Sequence, residues 1–171
     1  MEIKTEVVDN FLEIQQLNML KEMMVFSDFP YQITKIVAGK EESQIPHWYW
    51  YGTHVFYDNC QPMSNAFDAL RPLIKRIVDL EYGFAFIRGK VNFYPYTETV
   101  YEHGPHVDYP FPNYGAVLSL NTCDGFTRLS DGTKVESVEN RMVFFDSSQP
   151  HNSSTTSNAS GRFNINLNFR L

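Results

Sequence analysis

From Gly83 to the end the chain is a succession of short β-type runs separated by turn signals. FAFIRGKVNFY (84–94), GAVLSLN (115–121), FTRLS (126–130), KVESV (134–138), ENRMVFFD (139–146) and RFNINLNF (162–169) follow one another. Asp131-Gly132-Thr133 marks a tight turn between two of them, and the stretch from Pro95 to Gly115 is rich in loop residues. About eight short strands with turns between them predict an antiparallel jelly roll. The last run is the most informative. Side chains alternate along a strand, so Arg162, Asn164 and Asn166 share one face while Phe163, Ile165 and Leu167 share the other. A buried row of Arg and Asn needs partners for its polar groups.

Two helices are expected ahead of this region. FLEIQQLNMLKEMMVF (11–26) places Phe11, Ile14, Leu17, Leu20 and Met24 at helical spacing, with Asp9 or Asn10 as its cap. Its methionines read as core filling. PMSNAFDALRPLIKRIVDLEY (62–82) reads as a second helix starting between Pro62 and Ser64, with Phe67, Leu70, Leu73 or Ile74, Ile77 and Leu80 on one side. Pro72 is expected to split or kink it. Residues 2–8 suggest a short first strand, and residues 29–46 a mostly irregular crossing. The aromatic run HWYWYGTHVFYDN (47–59) reads as a half-buried edge strand, with an aromatic wall for substrate as the sharper alternative. The fold class is therefore mainly β with supporting N-terminal helices (α+β). The whole of 1–171 reads as one domain, with 1–82 as helical support and edge strands and 83–171 as the jelly-roll core.

Composition narrows the partners. A net charge of −6 argues against a nucleic-acid backbone as the main partner, since that affinity rests on Lys and Arg. No run approaches the 18 or so apolar residues of a membrane span. Two distant cysteines, Cys60 and Cys123, form no disulfide framework, and the acidic N-terminus does not look like a signal peptide. These features point to a cytoplasmic protein. They leave the oligomeric state open.

The chemistry-bearing residues lie in the β region. His106 and Asp108 are two apart, so a strand-like backbone turns both side chains to one side. His151 follows the β run MVFF, and Arg162 opens the last strand. Two imidazoles and a carboxylate can hold non-haem Fe(II) on one face and leave the opposite positions open. A buried arginine beyond the second histidine can clamp a carboxylate in a bidentate pair, although at a strand start it can also serve only to guard a sheet edge.

The order His-x-Asp, His, Arg, with VNFYPYTETVYEHGPHVD (91–108) upstream and GFTRLSDGTKVESVENRMVFFDSSQPH (125–151) between, resembles the Fe(II)- and 2-oxoglutarate-dependent dioxygenases of the prolyl-4-hydroxylase-like group. The resemblance covers roughly residues 83–170 and implies a double-stranded β-helix, the cupin-like jelly roll. It implies His106, Asp108 and His151 as iron ligands and catalytic centre, and Arg162 as the anchor for the distal carboxylate of 2-oxoglutarate. Tyr94 matches the tyrosine whose hydroxyl meets the co-substrate. Asn164 and Asn92 are looser matches, and Ser119 and Asn121 are candidates for the same cavity. The implied cofactors are Fe(II) and 2-oxoglutarate with O2 as substrate, and ascorbate as a further candidate.

The implied reaction hydroxylates an unactivated C–H of a prolyl or other peptidyl or amino-acid substrate, releasing succinate and CO2. Peptide or small-molecule substrates are the expected partners. His103, out of phase with His106, is not counted as a ligand, and His47 and His54 read as structural. One departure stands out: where relatives often carry Gly-Gly before the threonine, this chain has Asp124-Gly125-Phe126-Thr127. The low-complexity stretch 152–161 reads as a mobile lid or a flexible turn. Two other classes stay open. One is a cupin-type mononuclear metalloenzyme without 2-oxoglutarate, and the other is a non-catalytic jelly-roll binding module.

Overall fold

The computed structural model describes residues 3–35, 49–80 and 85–170. Along the chain run β1 (Glu6–Val8), α1 (Ile14–Met24), β2 (Gln32–Thr34), β3 (Tyr51–Asp58) and β4 (Gln61–Pro62). A 3-10 turn (Phe67–Leu70) then leads into α2 (Arg71–Asp79). The β region holds β5 (Ala85–Pro95), β6 (Tyr114–Ser119), β7 (Phe126–Arg128), β8 (Lys134–Glu136), β9 (Met142–Asp146), β10 (Asn152–Ser153) and β11 (Gly161–Arg170). All pairings between the strands are antiparallel. The large sheet has the order β1-β9-β6-β11-β5-β3-β2, with β4 attached to β3, and a smaller sheet has the order β10-β7-β8. The expected jelly roll is the observed fold.

Each face of the large sheet has its own work. Its outer face meets the helices: Leu17, Leu20 and Met24 of α1, and Leu73 and Ile77 of α2, pack with Val91, Ile165, Leu167 and Phe169 in one apolar core. Burying each such side chain stabilises the fold by about 1.5–3 kcal/mol. Its inner face is apolar at one end only, where Val117, Val143 and Phe145 meet Leu129 and Val135. The remainder of the inner face carries the alternate residues of β5 and β11. Register sets Tyr94 opposite Arg162, Asn92 opposite Asn164, Lys90 opposite Asn166 and Arg88 opposite Asn168. The predicted alternation of β11 is thus correct: Phe163, Ile165 and Leu167 join the helix side, and the Arg-Asn row faces in.

Several expected boundaries shift. Neither Asp9 nor Asn10 caps α1; the cap position is Glu13, with no side-chain bond. Asp9 instead takes both Nε and Nη2 of Arg141, at 2.6 and 2.9 Å. Asn10 adopts a left-handed φ of 53°. Phe11 and Leu12 stay outside the helix because Asn140 claims their backbone: the Phe11 N–H donates to Asn140 O, the Leu12 N–H to Asn140 Oδ1, and Asn140 Nδ2 to Leu12 O. Ile14, expected in the buried stripe, is exposed. The second helix starts later than expected, since Gln61 and Pro62 pair with β3. Pro72 does divide the segment. It occupies the first turn of α2, where its missing N–H leaves no bond unmade. The aromatic run holds β3, which lies inside β2 and so is not the edge. His47 and the stretch 36–48 lie outside the described residues. Among the described residues no helix is long and apolar enough to cross a membrane.

Candidate metal centre and co-substrate pocket

Backbone pairing brings the two histidines together. His106 and His151 face each other as an isolated antiparallel bridge, exchanging N–H···O bonds of 3.0 and 2.9 Å. Their rings then sit with centroids 4.4 Å apart. The Asp108 N–H donates to Ser147 O at 2.9 Å, which ties the third side chain to the same segment. One ligand atom from each of His106, Asp108 and His151 lies within 4.8 Å of the others. This set could hold a metal ion.

The surrounding bonds present the right atoms for that purpose. His151 Nδ1 lies 3.1 Å from the Gln149 carbonyl, which can only accept, so the proton sits on Nδ1 and the Nε2 lone pair is free. That Nε2 is 4.0 Å from Asp108 Oδ2. The other oxygen, Oδ1, accepts from Arg88 Nη2 at 2.7 Å, while Asn168 Nδ2 donates to Oδ2 at 2.9 Å. Burial pushes the Asp108 carboxyl up, but Arg88, with Lys90, His151 and the Asn168 N–H, overcomes this and holds it well below its usual range. It is a carboxylate at every working pH. The Gly104 backbone supports the His106 ring as the Gln149 carbonyl supports that of His151. Two imidazoles and a carboxylate converging within 4.8 Å are a donor set that fits a bound divalent metal.

Burial, followed by the His151 imidazole, brings the His106 pKa down from 6.5 to about 4, against the opposing pull of Asp108. The sign of the consequence is fixed. An unfolded histidine takes a proton near pH 6.5 and the folded one does not until about pH 4, so stability is full above 6.5 and falls as pH drops through that window. Metal-free protein is expected to lose on the order of 2–3 kcal/mol across it, measured as denaturant midpoints at several pH values. His106→Gln should reduce the slope and leave the part due to His151, which burial also lowers; an unchanged slope would count against a neutral His106.

Arg162 is 1% exposed. Its Nε donates to Ser137 Oγ at 2.6 Å, Nη2 to Thr127 Oγ1 at 2.8 Å, and Nη1 reaches Ser154 O at 3.4 Å. Its guanidinium lies 5.3 Å from the centre of the Tyr94 ring. No carboxylate among the described residues forms an ion pair with it. A fully buried guanidinium with only neutral partners is expensive and wants an anion. Gly125 makes room for it: a Cβ there would lie 2.7 Å from Arg162 Cδ. The departure from Gly-Gly is therefore harmless to the pocket, because the retained glycine is the one the arginine passes.

Asp124, in the place of the other glycine, fastens the 152–161 segment. It accepts from Thr156 Oγ1 at 2.7 Å and from the Ser157 N–H at 2.8 Å. Ser153, Ser154, Thr155 and Thr156 are buried, and β10 pairs with β7. Residues 153–156 of the low-complexity stretch are packed in, while Asn158 and Ser160 stay exposed at its turn.

The remaining candidates divide. Tyr94 is buried and stacks on Tyr51 at 5.7 Å; loss of solvent, against the pull of Arg162, raises its hydroxyl pKa to about 12, so it stays a neutral donor. Asn92 Nδ2 donates to Asn164 Oδ1 at 3.1 Å. Tyr94, Asn92, Asn164, His106, His151 and Arg162 all line one inner cavity. Asn121 does not belong there: it donates to Gly161 O and accepts from the Phe163 N–H, fixing the start of β11. Ser119 sits opposite Asn164 in register but is outside the cavity lining. His54 bridges Pro30 O and Ser64 Oγ, a structural role as expected.

His103 is not in the metal set and packs behind the cavity lining, with Nδ1 2.8 Å from Ser153 Oγ and its ring against Tyr94 and Tyr49. Tyr49 packs on His103 and Tyr51 stacks on Tyr94, so the aromatic run backs residues of the site. Arg88, Lys90 and Asn168 were missed by the sequence reading. Continuing the alternation two steps from Asn92 and one step from Asn166 would have found them.

No family model and no curated protein matches the sequence. Solved structures do match in fold. A prolyl-4-hydroxylase from Pseudomonas putida is 15% identical, with 99% of this chain and 94% of that one covered and a TM-score of 0.62. SnoN, a non-heme α-ketoglutarate-dependent epimerase from nogalamycin biosynthesis, is 13% identical, covering 99% and 81%, with a TM-score of 0.69. HygX from Streptomyces hygroscopicus, solved with nickel and 2-oxoglutarate bound, is 9% identical, covering 97% and 82%, with a TM-score of 0.63. At these identities the likeness establishes the fold, the jelly roll used by 2-oxoglutarate–Fe(II) oxygenases.

Proposed function

We propose that this protein is an Fe(II)- and 2-oxoglutarate-dependent oxygenase that hydroxylates an amino-acid or peptidyl substrate, prolyl in the leading case. The observation that carries the reading is Arg162, a buried cation without a counter-ion among the described residues, in the same cavity as His106 and His151, two of the three candidate metal ligands. A metal-only cupin enzyme would have no use for such a charge. His106, Asp108 and His151 would hold the iron. Arg162, with Thr127 beside it, would take the far carboxylate of 2-oxoglutarate, and the Tyr94 hydroxyl would donate to it. The bound pair supplies oxidative decarboxylation of 2-oxoglutarate to succinate and CO2, coupled to C–H hydroxylation. The chain's own part is to orient and to exclude water. Tyr94, Asn152 and Ser153 line the cavity, and His103 and Tyr49 pack in turn behind Tyr94. Support for the class comes from SnoN and HygX, which share the fold and whose names carry the same co-substrate. The prolyl assignment draws on the Pseudomonas putida enzyme, and fold alone does not fix a substrate.

The test is anaerobic titration with Fe(II) and then 2-oxoglutarate. A weak visible charge-transfer band is expected in the wild type and none in His151→Ala. Iron uptake without a band in the wild type would transfer the protein to the metal-only class, and no iron uptake would end the enzyme reading.

A further inference from the structure

A second cation stands beside the cavity, on the strand face of Asn92 and across the ladder from Asn166, and nothing in the proposed iron and co-substrate chemistry uses it. Lys90 lies on β5 between Arg88 and Asn92 on the inward row, opposite Asn166 of β11 and Val55 of β3. It is half-buried, and its Nζ lies 5.7 Å from the centre of the Tyr51 ring, which stacks in turn on Tyr94. Arg162 holds the other side of that stack. The two cations are therefore separate stations with a tyrosine pair between them.

Arg88 has its carboxylate in Asp108, but Lys90 makes no ion pair and no hydrogen bond among the described residues. Loss of solvent, followed by the Arg88 charge, draws its ammonium down to about 8, while Asp108 and Asp58 pull it up. Its partner across the ladder is also unsatisfied. Asn166 is 8% exposed, lines the cavity with both histidines, and its Oδ1 is buried without a donor. A cationic donor and an orphaned acceptor sit on paired positions beside the metal set. A ligand that satisfies both must carry an anion and an N–H or O–H a few atoms apart.

We infer that the primary substrate is a free α-amino or imino acid, its carboxylate on Lys90 Nζ and its N–H donating to Asn166 Oδ1. This rests on the oxygenase reading and narrows it, because an interior peptide residue offers no carboxylate at this position. Lys90 is then a specificity-determining residue, distinct from the Arg162 station for the co-substrate.

The experiment is calorimetric binding to the full chain, with and without Fe(II) and 2-oxoglutarate under anaerobic conditions. The probes are L-proline and the other common L-amino acids, each against its own carboxamide, together with a capped Gly-Pro-Gly peptide. At least one acid is expected to bind about tenfold or more tightly than its amide, the worth of one charge-assisted bond. Lys90→Gln should bring that ratio near one and Lys90→Arg should keep most of it. Lys90→Gln should also retain the 2-oxoglutarate charge-transfer band. The inference is overturned if no acid outbinds its amide, if the capped peptide binds as well as the acids, if the ratio survives Lys90→Gln, or if that variant loses the band and so assigns Lys90 to the co-substrate. A missing band in the wild type would sink the oxygenase reading instead, and the acid-to-amide ratio without metal remains to be read on its own.

Discussion

Arg162→Met should abolish useful 2-oxoglutarate binding and leave the fold standing. The loss follows from desolvation. In water a guanidinium–carboxylate pair contributes little, but at 1% exposure the arginine has no solvent to fall back on. Removing one partner of such a buried pair typically costs 2–5 kcal/mol, so affinity should fall by on the order of 10²–10³. Stability should barely change. The variant loses three hydrogen bonds to neutral partners, Ser137, Thr127 and Ser154, worth about 1 kcal/mol each. It also relieves a buried charge that has no counter-ion among the described residues, and methionine fills much of the same volume.

The two effects separate in one thermal experiment. With metal present, 2-oxoglutarate at about 100 times its Kd should stabilise the wild type by about 2.7 kcal/mol, raising Tm by roughly 5–10 °C for a chain of this size. Arg162→Met should melt near the ligand-free wild type and show no rise. Arg162→Lys should recover only part of it, since an ammonium keeps the charge and loses the fork. A full ligand-induced rise in Arg162→Met would remove the arginine from the co-substrate site.

That site was legible in the sequence because its residues obey a local rule. Alternation in RFNINLNF puts Arg162, Asn164 and Asn166 on one face without knowledge of any neighbour, and the two-residue spacing of His106 and Asp108 does the same. The jelly roll was legible for a related reason, since turn residues such as Gly132, at a φ of 87°, punctuate the strands locally. What stayed hidden depends on residues far apart in the chain. Helix α1 starts three residues past Phe11 because Asn140, more than a hundred positions away, takes the backbone of Phe11 and Leu12. The 152–161 segment has the composition of a flexible loop, yet its hydroxyls are consumed one by one: Thr155 meets Thr97, Ser154 receives the Phe126 N–H, and Thr156 and Ser157 meet Asp124. Composition reports what a side chain can bond, not whether a partner is delivered to it.

Asp108→Ala is expected to remove metal binding and turnover together, with little effect on the metal-free fold. Asp108 is the only carboxylate in the candidate ligand set, and so the only group there that brings negative charge to a dication. Its two oxygens have different tasks. Oδ1 is held by Arg88, and Oδ2, the one within 4.0 Å of His151 Nε2, is turned to the metal position. Deleting such a buried charge partner should weaken the metal by on the order of 10²–10³, leaving two neutral imidazoles.

The groups left behind are not stranded. Arg88 keeps 19% side-chain exposure and can turn to water, and Asn168 Nδ2 retains Asn113 Oδ1 at 3.2 Å and Ser147 Oγ at 3.1 Å. The metal-free variant should therefore melt within a few degrees of the metal-free wild type, a cost of about 1 kcal/mol. Fe(II) binding followed by calorimetry, with succinate release as the second readout, decides the matter. Asp108→Asn sharpens the test: it keeps the shape and can still accept from Arg88, but lacks the charge, so it should bind iron nearly as poorly as the alanine variant. Wild-type iron affinity in either variant would mean that the Arg88–Asp108 pair is a structural ion pair, and that the metal, if one binds, is held elsewhere.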